Sequence, residues 1–212
     1  MTLALHAKPP PTMMPILLLA AGGSTRMRGR DKLLENIDGV PLIQRQAKRA
    51  LATEHPVYVA LPNASHPRQA ALAKLQVTCL IVPEAAEGMS GTMRGAVKQL
   101  RPDGAFMMLL GDLVAINTAD MQAIFHAHAD NPSNLIWRGA TQDGKPGHPI
   151  IFDGSLRSEF NKLQGDGGGE TIVQPLCEQT HLTKLASNHA RLDLDTPEDW
   201  NRWRQQSFDC EN

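Results

Sequence analysis

Residues 17–32, LLLAAGGSTRMRGRDK, set a double glycine directly after an apolar run and follow it with Arg26, Arg28, Arg30 and Lys32. Gly22 and Gly23 permit positive φ and leave backbone N–H groups uncovered, which suits an approaching anion. An arginine grips a phosphate through a planar fork, whereas a lysine offers a compact point charge. The stretch therefore reads as a phosphate cradle, with a charged, solvated turn as the alternative. Neither common phosphate motif fits. GxGxxG fails because Ser24 follows Gly23, and GxxxxGK[ST] fails because Arg30 follows Gly29.

Other residues carry chemistry at a distance from this loop. Asp112 sits just beyond the apolar run FMMLL. A carboxylate at a strand's C-terminal end is placed for Mg2+, which takes one or two carboxylates plus substrate phosphates, although an aspartate there can also cap a turn. Asp193 and Asp195 alternate along RLDLDTP, so a strand would point both to one side. Either could complete a metal site with Asp112, or Asp195 could stabilise the start of the last helix. Gly88, Ser90 and Thr92 lie in PEAAEGMSGT, where small hydroxyl residues can meet a base edge or a ribose, or cap a helix. His148, in GHP, is a contact for a second substrate or a structural histidine. His126 and His128 are two apart on a helical pattern, do not share a face, and read as non-ligands. Trp200 and Trp203 read as packing residues. GDGGGE, 165–170, is either a lid or a plain flexible loop.

The elements that must position these residues alternate. PILLLA (15–20), PVYVAL (56–61), TCLIVP (78–83) and AFMMLL (105–110) read as buried strands. Between and after them, 41–52, 67–75, 91–100 and 118–129 carry helical spacing, with Pro41 in the first turn of one and Thr118 as a cap of another. NLIWRGA, HPIIF, HLTKLA and ARLDLD read as further strands, and GSLRSEFNKL and ETIVQPLC as helices. TPEDWNRWRQQ reads as a closing helix with Thr196 as N-cap and Pro197 at its first position. Such repeated units predict an α/β fold: a single doubly wound, mostly parallel sheet with helices on both faces. In that fold ligands sit at the carboxyl ends of the strands, where the loops carrying Gly22, Gly88 and Asp112 fall. The expected organisation is a disordered leader over 1–14 and one domain over 15–212.

The bulk numbers narrow the class. With 212 residues, 42% hydrophobic and 20% charged, the chain reads as a soluble globular protein. A net charge of -1 gives no overall field for nucleic acid or anionic membrane, so any basic site is local. ILLLAA is far too short to span a bilayer. Three scattered cysteines without metal-ligand spacing fit inert thiols in a reducing cytoplasm.

The first loop resembles the L-A-A-G-x-S-x-R-M-(x)n-K loop of nucleotidyltransferases of the MobA-like type. LLENIDGVPLIQR resembles the segment that continues it. PEAAEGMSGTMRGAV, MLLGDLVAI, GKPGHPIIF and LDLDTPEDW are similar to successive segments of the molybdenum cofactor cytidylyltransferase branch. Arg28 stands where that family usually has glycine, Val114 and Ala115 replace its proline region, and Thr92 replaces a frequent serine. The resemblance implies a Rossmann-like nucleotidyltransferase fold and transfer of CMP from CTP to a molybdopterin-type cofactor, with Mg2+ and release of pyrophosphate. The product would pass to a molybdoenzyme. It further implies backbone contacts from Ala20, Ala21, Gly22 and Gly23, phosphate contacts from Arg26 and Lys32, and nucleotide contacts from Gly88, Ser90 and Thr92. Metal would be held by Asp112, Asp193 and Asp195, and the acceptor met by His148 and Asp193. GTP with the same cofactor, CTP with a sugar or polyol phosphate, and a non-catalytic carrier of cofactor or nucleotide are the competing readings.

Overall fold

A computed structural model describes residues 13–165 and 167–209. The expected leader therefore lies, apart from Met13 and Met14, outside the described residues.

The chain alternates strands and helices in the expected order. β1 (Ile16–Leu19) leads through the basic loop to a short hairpin, β2 (Asn36–Ile37) and β3 (Val40–Pro41). Then follow α1 (Leu42–Leu51), β4 (Val57–Leu61), α2 (Pro67–Leu72), β5 (Thr78–Ile81), α3 (Met89–Gln99), β6 (Phe106–Leu110) and α4 (Thr118–Asp130). The second half adds β7 (Ile136–Ala140), β8 (Pro146–Phe152), α5 (Arg157–Phe160), α6 (Glu170–Val173), β9 (Thr180–Lys184) and α7 (Pro197–Asp209).

The main sheet has the order β5-β4-β1-β6-β8-β7-β9. β5, β4, β1 and β6 pair in parallel, as do β7 and β9, while β8 runs antiparallel to both its neighbours. The chain moves outward from β1 to β5 and then crosses back to β6. The crevice between the C-terminal ends of β1 and β6 is therefore the topological switch point, where an open α/β sheet binds ligands.

Strand alternation explains why both sheet faces are covered. Ile16 and Leu18 of β1, Val57 and Val59 of β4, and Met107 and Leu109 of β6 pack with Leu42, Ile43 and Ala47 of α1, Ile124 of α4 and Trp200 of α7. Their alternates Leu17, Ala60, Phe106 and Met108 pack with Ala96 and Val97 of α3, Phe160 of α5 and Ile172 of α6. Two apolar faces per strand produce the unbroken apolar runs in the sequence. Trp200 is fully buried and meets Trp203 edge-on, as packing residues do.

Three local expectations are corrected. α4 is capped by Asn117, not Thr118: Asn117 and Asp120 form a reciprocal capping box, and the Thr118 hydroxyl donates to the Arg49 carbonyl. ARLDLD is no strand. His189–Arg191 forms a 3-10 turn, and Asp193 makes an isolated antiparallel bridge to Leu113. The segments 154–163 and 170–177 are broken into short α and 3-10 pieces. At α7, Thr196 and Asp199 do cap one another's backbone, and Pro197 opens the helix.

Candidate active site

The loop after β1 is held from behind by an arginine that sequence reasoning missed. Arg68, on the first turn of α2, is 1% exposed. Its Nε donates to Asp31 Oδ2 at 2.8 Å and its Nη2 to Asp31 Oδ1 at 2.7 Å. Its Nη1 also donates to the Ala20 carbonyl at 2.6 Å, and Nη2 to Ser24 Oγ at 3.1 Å. Burying a charge costs several kcal/mol unless it is paired and hydrogen-bonded, and here it is both. The visible signal was a basic residue inside the otherwise apolar-spaced helix PRQAAL. Its partner lies 37 positions upstream.

The positive-φ expectation is corrected too. Gly22 and Gly23 do not use it; Ser24 (φ 52), Arg28 (φ 53) and Gly29 (φ 85) do. A Cβ on Gly22 would meet no protein atom within 4 Å, so nothing inside the protein requires glycine there. The space in front of it belongs to the cleft.

The four basic residues are not equivalent. Lys32 Nζ lies 2.5 Å from Asp112 Oδ2 and 2.6 Å from Asp195 Oδ1. Arg26 Nη1 lies 2.5 Å from Asp195 Oδ2. Arg28 instead meets Glu198 on the first turn of α7 at 2.8 Å, and Arg30 meets Glu35 at 3.4 Å. Glu35 is also bound by Arg204 of α7 at 2.9 Å. Burial would lower the Lys32 pKa, but Asp112 and then Asp195 outweigh it and raise the ammonium above its ordinary value. Burial likewise pushes Asp195 up, yet the hydrogen bonds and charges of Lys32 and Arg26 hold it below the usual carboxylate range.

The three carboxylates expected to share a metal divide into different environments. Both Asp195 oxygens are engaged by cations, so Asp195 does not stand open as a third ligand. Among the described residues no group of three or more His, Cys, Asp or Glu is arranged to hold a metal ion. Asp112 Oδ1, by contrast, is buried and has no hydrogen-bond partner. Asp193 is pushed up by partial burial and by the charges of Asp112 and Asp195.

The turn that carries Asp112 is braced from α1. Gln46 donates to the Leu113 carbonyl, and Arg49 Nη1 donates to the Val114 and Ile116 carbonyls at 2.9 and 2.6 Å. Val114 and Ala115 thus sit in a turn fixed through its backbone.

Around these residues the cleft is continuous. One end is lined by Ala20, Ala21, Gly22, Gly23, Gly88 and Thr92, together with Lys32 and Asp112. The middle is lined by Arg26, Lys32, Asp112, Asp193 and Asp195. Ser90 is not brought to this wall. It is 1% exposed and its hydroxyl donates to the Gln164 carbonyl at 3.2 Å. Thr92 reaches the wall, although its hydroxyl donates to the Gly88 carbonyl at 3.1 Å.

His148, on β8, lines a neighbouring hollow with Asp193, Arg138 and Glu170. Its Nδ1 is buried without a partner. Burial, and next the Arg138 charge, lower its pKa to about 4, so the imidazole is neutral at pH 7. The glycine-rich segment beside it is tied down at both ends. Arg94 Nη1 donates to the Leu163 carbonyl at 2.8 Å, and Glu170 pairs with Arg138 at 2.5 Å. Asp166, within it, lies outside the described residues.

Comparison with solved structures places the fold among known ones. Rv0371c from Mycobacterium tuberculosis H37Rv is 24% identical, with a TM-score of 0.77 over 92% of this chain and 98% of that one. A structure of Rv0371C described as a complex with manganese is 23% identical, at TM-score 0.73 over 90% and 97%. A CMP:2-keto-3-deoxy-manno-octonic acid synthetase complexed with CTP is 17% identical, at TM-score 0.71 over 92% and 99%. A comparison with curated proteins gives no match. The family described as MobA-like NTP transferase domain matches residues 16–183. That span takes in the loop with Arg26 and Lys32 and the strand end with Asp112, and it shows that the chain belongs to the MobA-like NTP transferases, a family of nucleotidyltransferases.

Proposed function

We propose that the protein is an Mg2+-dependent cytidylyltransferase that transfers CMP from CTP to the phosphate of a molybdopterin-type cofactor and releases pyrophosphate. The observation that carries the transfer reading is the meeting of Lys32 with Asp112 at the switch point, with Arg26 beside them. Transfer of this kind needs positioning and charge neutralisation more than a covalent nucleophile.

Each residue then has a task. The acceptor's phosphate oxygen attacks the α-phosphorus, and the bond to the β-phosphate oxygen breaks. Ala21, Gly22 and Gly23 offer backbone to the nucleotide, Ala20 lines the same wall with its amide donated to the Ala60 carbonyl and its own carbonyl held by Arg68, and Gly88 and Thr92 close the other wall. Arg26, the more exposed cation, takes the outer phosphates. Lys32 faces the charge that builds on the α-phosphate. Asp195 holds both cations in place. The unpartnered oxygen of Asp112, with Asp193 close by, fits a hard cation shared with substrate phosphates. Mg2+ held there supplies further neutralisation of the triphosphate. Asp193 and His148 face the acceptor.

CTP and the pterin cofactor are favoured by the segments EGMSGTMRG and GHPIIF, and CTP also by the CTP-bound structure of similar fold. The test is a matrix of pyrophosphate release with each NTP against molybdopterin, its molybdenum form and several sugar and polyol phosphates. Turnover with CTP and the pterin cofactor is expected. Turnover with GTP alone, or only with a phosphosugar, reassigns the substrates. Tight NTP binding without any pyrophosphate would favour a carrier.

A further inference from the structure

The reaction proposed above brings a triphosphate and a second phosphate together, and Arg26 and Lys32 account only for the triphosphate. A second pair of guanidiniums faces the adjoining hollow, which shares Leu110 and Asp193 with the triphosphate cleft. Arg138 reaches it from β7 with its side chain 9% exposed. Arg138 Nε donates to the Gly147 carbonyl at 2.8 Å, which fixes the plane of the fork. Its outer nitrogens meet Glu170 at 2.5 and 3.4 Å. Arg191 enters from the turn opposite and donates to the Pro146 carbonyl at 3.0 Å. His148 belongs to the same wall.

Glu170 is the exchangeable part. Its side chain is 55% exposed, and it opens α6 directly after the glycine-rich segment. A nearly buried guanidinium whose charged partner is half in solvent can trade that carboxylate for a stronger dianion.

The geometry points to this hollow as the subsite for the acceptor's phosphate: Arg138 and Arg191 hold a phosphate monoester, and Glu170 is the counter-ion it displaces. This rests on the nucleotidyltransferase reading. A hydroxyl acceptor needs neither guanidinium, so the pair selects a phosphate nucleophile over an alcohol.

The test fills the nucleotide cleft with α,β-methylene CTP and Mg2+ and then titrates phenyl phosphate, with benzyl alcohol as the uncharged control, by calorimetry. Phenyl phosphate should bind at least about tenfold more tightly than the alcohol, and R191M and R138K should each weaken it by about tenfold or more. E170Q should tighten it, and none of the three should move the affinity for the methylene analogue. Arg191 is exposed, so R191M keeps the test open if R138K does not fold. No binding of phenyl phosphate to the wild type, or binding indifferent to R191M and R138K, overturns the subsite. Failure of the methylene analogue to bind sinks the nucleotide reading instead, and titration of phenyl phosphate alone against wild type and R191M still judges the subsite.

Discussion

Replacing Lys32 by alanine removes the cation between Asp112 and Asp195 and leaves the two carboxylates without a shared partner. Loss of one such preorganised charge should lower kcat by about 10²–10³-fold, or roughly 3–4 kcal/mol of barrier. Pyrophosphate release at saturating CTP measures it, and a K32A enzyme at wild-type rate would remove Lys32 from the mechanism. His148 makes a different kind of prediction. Its folded pKa of about 4 lies below the ordinary 6.5, so the unfolded chain takes up a proton first as pH falls. The stability it contributes is present above pH 6.5 and drains away as pH falls toward 4. Urea unfolding at pH 7 and pH 4.5 reads the difference, and His148→Gln should flatten it. Arg26, Lys32 and Asp112 could be named as candidates from the sequence because each follows a glycine bend or an apolar strand within a few positions, and the fold brings the three to one cleft. Arg68 was not, because a buried arginine makes sense only beside Asp31, and that meeting is tertiary.

At the scale of elements, the Arg68–Asp31 fork joins α2 to the basic loop. Arg68→Leu leaves Asp31 without its cation and should cost about 3–5 kcal/mol of stability. Denaturant midpoints check this, and combining it with Asp31→Leu should recover part of the loss, since the unpaired charge is then gone as well. α3 makes a second case. An alanine at 91 would favour the helix by about 1 kcal/mol, yet its Cβ would run into the Glu84 carbonyl and approach Glu87 Cβ at 2.9 Å. G91A should therefore unfold at a lower temperature than wild type. Continuous apolar runs exposed β1, β4 and β6 to sequence reasoning. ARLDLD misled it because Leu194 is buried while Asp193 and Asp195 face the cleft, an alternation that a turn and a single bridge can produce. The cap of α4 was readable in principle, since Asn117 and Asp120 stand three apart, but Thr118 was an equally ordinary capping residue.

For the molecule as a whole, the class of fold followed from alternating elements, whereas the position of β8 did not. Its pairing with β6 joins Met107 to Ile151, and nothing local to either strand specifies that partnership or its direction. The meeting of the basic loop with the start of α7 was equally hidden. If the cleft binds CTP as proposed, CTP with Mg2+ at about a hundred times Kd should raise the unfolding free energy by about 2.7 kcal/mol. Thermal shift against a nucleotide series measures it, and an equal shift with AMP would argue against a triphosphate site.

Arg26 and Lys32 take a shared carboxylate from Asp195, and Arg26 precedes it by 169 positions. A ribosome adding about 5–20 residues per second needs roughly ten to thirty seconds to bridge that distance. Through that interval the emerging chain carries both cations without the carboxylate that later holds them together. The two cations of the cradle are therefore joined through one carboxylate only once the segment carrying Asp195 has been made.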